Sequence, residues 1–118
     1  MFFADVRFED EPEDKSVTVG DHVTFTCTAI SFRFQPGLYW ILDSEIYIDC
    51  LNGAVYCIEN NILDERRTRS TLTFTTFNIT KHSVTCVVSQ RPNVTSTAIL
   101  TVLAKGDTII DILLYGIT

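Results

Sequence analysis

Apolar and polar residues alternate along most of the chain, and this period of two predicts a protein built from β-strands. Val23, Phe25 and Cys27 share one face of their run, while the threonines between them share the other. No segment has a convincing helical period. The predicted strands cover residues 4–8, 16–19, 22–29, 38–42, 45–50, 54–58, 71–77, 83–90 and 95–103.

Turn residues separate these strands. An acidic loop covers residues 9–14, where Pro12 blocks regular pairing. Asn52-Gly53 predicts a tight hairpin between residues 45–50 and 54–58, because both residues tolerate a positive φ. Residues 60–69 form a polar stretch with only a weak strand signal near 66–70, and Arg91-Pro92-Asn93 is predicted as a hairpin loop.

Two of the four cysteines and the single tryptophan define a predicted core. Cys27 and Cys86 each lie in an alternating strand, and Trp40 follows Cys27 by thirteen residues. Two such strands in opposing sheets, joined by a disulfide and packed on a tryptophan, are typical of an immunoglobulin-like sandwich.

Cys50 and Cys57 flank the Asn-Gly turn, which favours a local hairpin bridge. Four cysteines allow three connectivities, however, and the sequence leaves the other two open.

On these residues the chain resembles the immunoglobulin superfamily, V-set or I-set, over residues 6–103. The matching positions are Cys27, Trp40, Leu72 and Cys86, with the closing run 98–103. The resemblance implies an all-β antiparallel Greek-key sandwich intermediate between the two sets, with strands A, A′, B, C, C′, C″, E, F and G. Trp40, Leu72 and Phe74 are predicted in its core. The domain is expected to cover residues 1–105, and residues 106–118 a linker, a terminal strand or the start of a following domain.

The chain also departs from the family. Thr80, His82 and Val84 stand where the family usually carries Asp, Gly and Tyr, and Arg66, Arg67 and Arg69 have no family-style partner. No Phe-Gly-x-Gly bulge is present, so this is not an antigen receptor of the vertebrate kind. In general character the chain is similar to the membrane-distal domain of hydroid-type allorecognition receptors, cell-surface proteins that bind themselves across opposing cells. Virus-encoded immunoglobulin-like proteins diverge in a similar way.

Charge and cysteine content limit the possible partners and the compartment in which the protein is expected. A net charge of −6 argues against nucleic acid and anionic lipid as partners. An even number of cysteines and two sequons, at Asn78 and Asn93, predict an extracellular, N-glycosylated chain. No signal peptide is visible and no run reaches the ~20 apolar residues of a membrane span. Any membrane anchor is therefore expected outside this fragment.

The sequence has no residues arranged for metal binding or nucleophilic catalysis. His22 and His82 have no Cys or Asp at metal-ligand spacing, and the acidic loop lacks spaced calcium ligands. All four cysteines have sensible disulfide partners, which leaves no free thiol for a nucleophile. We therefore expect no enzyme activity, no cofactor, no metal and no small-molecule substrate.

Strand alternation predicts a binding face. If Trp40, Cys86 and Leu100 face inward, their strands present an apolar cluster outward, extended by Tyr47 or Ile48 and with Arg91 at its rim. We expect this G-F-C-C′ face to bind a protein partner, in the first instance a copy of the chain on an opposing cell. The alternatives are a soluble immune effector or viral decoy that binds a foreign ligand through loops 31–36 and 90–93, and a structural spacer. The predicted cluster is Tyr39, Ile41, Val87 and Ile99.

Overall fold

The computed structural model describes residues 5–47, 56–76 and 79–104 of the chain. These residues form nine β-strands, and no helix occurs among them. None of the described segments is therefore a helix able to cross a membrane. The strands are β1 Val6–Asp10, β2 Lys15–Thr18, β3 His22–Ser31, β4 Leu38–Leu42, β5 Glu45–Tyr47, β6 Tyr56–Asp64, β7 Arg67–Thr75, β8 Lys81–Val88 and β9 Arg91–Leu103.

The strands form two sheets, which confirms the predicted sandwich. The first sheet has the order β1-β3-β7-β6 and the second the order β2-β9-β8-β4-β5. Every neighbouring pair is antiparallel except β2 and β9, which run parallel. Consecutive strands change sheet repeatedly, as in a Greek key. Each sheet has one face in the core and one in solvent, and this arrangement explains the alternating sequence.

The core lies between the sheets at the predicted positions. Trp40 and Leu72 are fully buried and Phe74 is 7% exposed. Phe74 stacks on Phe25, with 6.3 Å between the ring centroids. Cys27 and Cys86 form the predicted disulfide, with their Cα atoms 6.6 Å apart. The bridge joins β3 of the first sheet to β8 of the second.

A buried hydrogen bond also joins the two sheets. Trp40 Nε1 donates to Ser70 Oγ across 2.8 Å, from β4 to β7. Both residues are fully buried. Indole N–H groups need a partner when they leave water, so Ser70 satisfies a donor that the apolar core cannot.

The acidic loop connects the sheets rather than standing free in solvent. Glu11 accepts a hydrogen bond from Ser96 Oγ at 2.8 Å, and Asp14 accepts one from the backbone N–H of Ile99 at 2.8 Å. Pro12 between them is buried. These contacts fix the point where the chain crosses from β1 in the first sheet to β2 in the second.

The predicted pairing of residues 54–58 with 45–50 is wrong for the described part of that segment. β6 pairs with β7 in the first sheet, and it continues through residues predicted to be a polar stretch. Residues 67–70 belong to β7, not to a separate strand, and Arg66 lies in the β6–β7 turn. β6 is an edge strand in which Ile58 is buried while Glu59, Asn60 and Asn61 are exposed, so its alternation is weak.

The second cysteine pair is described only in part. Cys57 lies in β6 opposite Thr73 and is disulfide-bonded. Cys50, its predicted partner, lies outside the described residues, as do Asn52-Gly53 and Asn78.

Arg67 and Arg69 have partners, but these are not at the positions where the immunoglobulin superfamily usually places one. Arg67 Nε contacts Asp64 Oδ2 at 2.7 Å, and Arg67 Nη1 contacts Glu9 Oε1 at 3.5 Å. Arg69 Nε donates to Thr28 Oγ1 at 3.2 Å. These partners come from β1, β3 and the end of β6, so a family comparison of the region before Cys86 does not find them.

Candidate protein-interaction face

The second sheet exposes one broad face, and its strand register defines which residues share that face. Trp40, Cys86 and Ser96 lie side by side in a buried row across β4, β8 and β9. Side chains of the adjacent row therefore point to the outer surface. That row consists of Ile46, Ile41, Thr85 and Thr97.

Isoleucines give this outer surface its apolar character. Ile46 is 59% exposed and Ile99 is 40% exposed, while Ile41 and Tyr39 are half-buried. Ile46 lies directly opposite Ile41 in the β4–β5 hairpin. We call Tyr39, Ile41, Ile46 and Ile99 the isoleucine face. The sequence predicted three of these four residues and missed Ile46.

One predicted member of the cluster is corrected by the structure. Val87 lies opposite Tyr39, in the outward phase of β8, but it is 1% exposed and so is unavailable to a partner. It is not part of the core cluster between the sheets. In the β4–β5 hairpin the backbone of Tyr47 pairs with Trp40 and that of Ile46 with Ile41. Ile48 lies outside the described residues.

Threonines occupy the centre of the outward row without leaving an unmet polar group. Thr85 Oγ1 and Thr97 Oγ1 lie 2.8 Å apart and hydrogen-bond to each other across β8 and β9. A hydroxyl that already has a partner is less costly to remove from water. The pair is therefore compatible with burial beside the isoleucines in an interface.

Hydrogen bonds to β8 hold the β4–β5 turn that supports Ile46. Asp43 and Ser44 both have positive φ, 49° and 80°, as a two-residue type I′ hairpin requires. The Asp43 carboxylate accepts a hydrogen bond from the Ser83 N–H at 2.9 Å and also contacts His82 Nδ1. The Asp43 N–H donates to the Ser83 carbonyl at 3.1 Å. The hairpin that carries Ile46 is thus fixed at its tip.

Arg91 is engaged within the domain instead of standing free at the rim. Its Nη2 contacts Asp5 Oδ2 at 2.6 Å, its Nη1 donates to the Gln90 carbonyl at 2.8 Å, and its guanidinium lies over the Phe34 ring at 5.3 Å. Arg91 also begins β9, so the connection from β8 is the short turn Ser89–Gln90 and not the predicted loop at 91–93.

The β8–β9 turn is tied to the β3–β4 loop. Gln90 Oε1 accepts from the Gly37 N–H at 2.9 Å, and Gln90 Nε2 donates to the Gln35 carbonyl at 3.0 Å. A Cβ at Gly37 would lie 3.2 Å from Ser89 Oγ, so the two segments approach closely. Asn93, the second sequon residue, is exposed in β9 near this turn.

No protein-family model matches the chain, and no curated protein matches it either. Solved structures do match. The N-terminal Ig1-2 module of the Drosophila receptor protein tyrosine phosphatase DLAR superposes with a TM-score of 0.67 at 17% identity, over 87% of this chain and 51% of that one. Titin domain I81 gives a TM-score of 0.61 at 17% identity, over 86% of this chain and 99% of that one.

The titin M10 and obscurin-like 1 complex gives a TM-score of 0.61 at 15% identity, over 86% of this chain and 96% of that one. The chain therefore spans about half of the tandem Dlar structures and nearly all of the single titin domains. The sandwich, its disulfide and these neighbours together define a divergent immunoglobulin-like fold. At such identities the likeness establishes the fold alone.

Proposed function

We propose that this domain is an extracellular, cell-surface recognition domain that binds a second copy of itself through the isoleucine face. The observation that carries the proposal is the pair of solvent-exposed isoleucines, Ile46 and Ile99, on one flat sheet face. An apolar patch of this kind on a soluble domain usually marks an interaction site. Among the fold neighbours, DLAR is named as a receptor and titin as part of protein complexes, so a protein partner suits the fold.

A two-fold axis through the face explains why a copy of the chain suits it. In an isologous contact each residue meets the symmetry mate of its partner, so an apolar centre meets an apolar centre. Ile41 and the Thr85–Thr97 pair lie at the middle of the face, and their hydroxyls are already satisfied. Charged groups, including Asp43 and Glu45, lie at its β5 edge and would remain in solvent.

Binding of a foreign ligand through the loop ends is the second candidate, and the geometry favours it less. The β8–β9 connection has only Ser89 and Gln90, and Gln90 is committed to Gly37 and Gln35. Recognition loops that adapt to varied ligands are longer and less restrained than this turn. A glycan on Asn93 would also stand beside it. A structural spacer needs no exposed apolar surface, so the isoleucine face also favours a binding role over a spacer role.

Bead aggregation tests the proposal directly. The glycosylated domain is coupled to beads at high density and compared with Ile41→Asp and Ile46→Asp variants, while sedimentation equilibrium measures the dimer constant in solution. Burying an unpaired carboxylate costs about 2 kcal/mol or more, so each variant is expected to weaken association at least ~30-fold. Wild-type beads that fail to aggregate at high density would contradict homophilic binding.

Ile62→Asp is the matched control. Ile62 is 70% exposed, but it lies in β6 of the first sheet, away from the isoleucine face. The same substitution there should leave aggregation unchanged. Equal losses in Ile46→Asp and Ile62→Asp would indicate a general effect of added charge and would remove support for this face. Thermal unfolding of each variant verifies that the fold persists.

A further inference from the structure

The arginines of this acidic chain are all at one end of the sandwich. This end holds all six arginines of the chain, with the carboxylates of Asp5, Glu9, Asp10, Asp64 and Glu65 among them, and Glu11 and Glu13 line the same cavity as Arg69. The chain as a whole carries −6. Six of its nine cationic side chains are thus concentrated in one region of an acidic domain. We call this the arginine end, formed by Arg7, Arg33, Arg66, Arg67, Arg69 and Arg91.

Strand register brings these residues together from distant parts of the sequence. Arg7 in β1 lies opposite Ile30 in β3, and Ile30 lies opposite Arg67 in β7. With strands about 4.8 Å apart, the backbones of Arg7 and Arg67 are roughly 10 Å apart. The Arg66 carbonyl accepts a hydrogen bond from the Ser31 N–H at 2.9 Å, which joins the β6–β7 turn to the start of the loop that carries Arg33.

Three of the arginines are committed to contacts within the domain and three are not. Arg67, Arg69 and Arg91 hold Asp64, Thr28 and Asp5 respectively. The exposed guanidinium groups of the other three have no ion pair or side-chain hydrogen bond in the described part of the chain. An arginine that contributes nothing to the fold is available to an external anion. These three are Arg7, Arg33 and Arg66.

The loop that presents Arg33 has a defined shape. Ser31 Oγ accepts hydrogen bonds from the N–H groups of Arg33 and Phe34, at 3.1 and 3.3 Å. The Phe32 N–H donates to the Asp5 carbonyl at 3.0 Å. These bonds hold the Phe32 ring in solvent, where it is 65% exposed. Arg33 therefore follows an exposed aromatic ring on a pre-organised backbone, which lowers the entropy lost on binding.

We infer that the arginine end binds a sulfated polysaccharide. Tetrahedral sulfate, like phosphate, presents two oxygens to the two parallel N–H bonds of a guanidinium group, and arginine clusters bind polymers such as heparin. The exposed Phe32 ring supplies an apolar surface for the C–H face of a sugar. A thin chain contacts this end alone, whereas an extended anionic surface also meets the acidic remainder of the domain.

This inference shares the extracellular setting of the proposed function but uses a separate surface. The three uncommitted arginines lie in β1, the β3–β4 loop and the β6–β7 turn, whereas the isoleucine face is built from β4, β5 and β9. Failure of one is therefore distinguishable from failure of the other. Ile46→Asp should retain polysaccharide binding, and an arginine variant should retain bead aggregation.

Binding to immobilised heparin at increasing salt tests the inference. The wild-type domain should bind at low salt despite its net negative charge. Arg33→Gln/Arg66→Gln should bind about fivefold or more weakly, because each exposed ion pair contributes a factor of about two to five. The slope of log affinity against log salt should fall by about 2, since each lost contact releases one counterion fewer.

Lys81→Gln, compared with Arg66→Gln alone, is the matched control, because Lys81 is exposed at the start of β8 in the second sheet. It should leave heparin affinity nearly unchanged, and unsulfated hyaluronan should not bind the wild type. Absence of heparin binding, or equal losses in Arg66→Gln and Lys81→Gln, would overturn the inference. Self-association without heparin that Arg33→Gln/Arg66→Gln abolishes would instead assign this end to contact with a second copy.

Discussion

The buried hydrogen bond between Trp40 and Ser70 supports a quantitative prediction about stability. Ser70→Ala removes the acceptor of Trp40 Nε1 at a place where both residues are fully buried. A buried donor left without a partner costs about 1–3 kcal/mol. That is a large share of the roughly 5–15 kcal/mol by which a domain is stable. The melting temperature should fall by roughly 5–15 °C for a domain of this size.

Urea unfolding with the disulfides intact, followed by circular dichroism, measures the effect in every variant. Where Trp40 is kept, its fluorescence also reports unfolding at the site itself, because the chain has a single tryptophan. A double-mutant cycle with Trp40→Phe isolates the interaction. In the Trp40→Phe background no indole donor remains, so Ser70→Ala should cost nearly nothing or should stabilise. Thr73→Ala removes an outer hydroxyl from the same strand and should stay within about 0.5 kcal/mol of wild type.

Two results would refute this reasoning. One is a Ser70→Ala variant as stable as wild type, which would mean that the indole donor finds water or another acceptor. The other is an equal loss with and without the indole, which would assign the cost to a cavity in the core. Either result would show that the two sheets do not depend on this hydrogen bond for their docking.

Three further predictions concern stability. The Cys27→Ala/Cys86→Ala variant should lose about 4 kcal/mol of unfolding free energy in urea, from the loop of 59 residues that the bridge closes, and a loss under ~1 kcal/mol would contradict the chain-entropy estimate. The Arg66 N–H, followed by the Arg67 side chain, lowers the pKa of Asp64 below its usual 3.8. The ionised Asp64 carboxylate therefore stabilises the fold at pH values above 3.8. As the pH falls below 3.8, the difference in melting temperature between wild type and Asp64→Asn should narrow. A difference that stays constant with pH would exclude this linkage. Ser44→Gly should raise stability by up to about 1 kcal/mol in chemical unfolding, because glycine relieves a φ of 80°, and a decrease would mean that the serine makes a compensating contact.

The period-two pattern predicted the sandwich well because one face of most strands is buried. In β3 every second residue from Val23 to Ala29 is buried, and Cys27, Trp40, Leu72 and Cys86 all lie in the core as expected. The same reasoning failed at β6, an edge strand whose exposed residues carry no pattern. It also assumed that Asn52-Gly53 joins two neighbouring strands, whereas β5 and β6 lie in different sheets.

The binding face was harder to predict because it depends on register and on burial by neighbours. Tyr39, Ile41 and Ile99 follow from alternation along single strands. Predicting Ile46 requires knowledge of the two-residue turn at Asp43-Ser44, because this turn fixes Ile46 opposite Ile41. The sequence has no glycine at these two positions, so it gives no signal for such a turn. Val87 has the outward phase that alternation predicts, but exposure depends on what covers a side chain, which a single strand cannot reveal.

The divergence before Cys86 has a structural counterpart at the isoleucine face. The family's usual Asp, Gly and Tyr are replaced by Thr80, His82 and Val84, so a tyrosine corner cannot fix the start of β8. Two other contacts hold this segment instead. The Thr80 carbonyl accepts from the Val102 N–H at 2.9 Å, and His82 contacts Asp43. The second contact links the start of β8 to the tip of the β4–β5 hairpin. His82, which departs from the usual immunoglobulin-superfamily pattern, therefore also contacts the hairpin that presents Ile46, and this contact couples the stability of this corner to the shape of the proposed binding face.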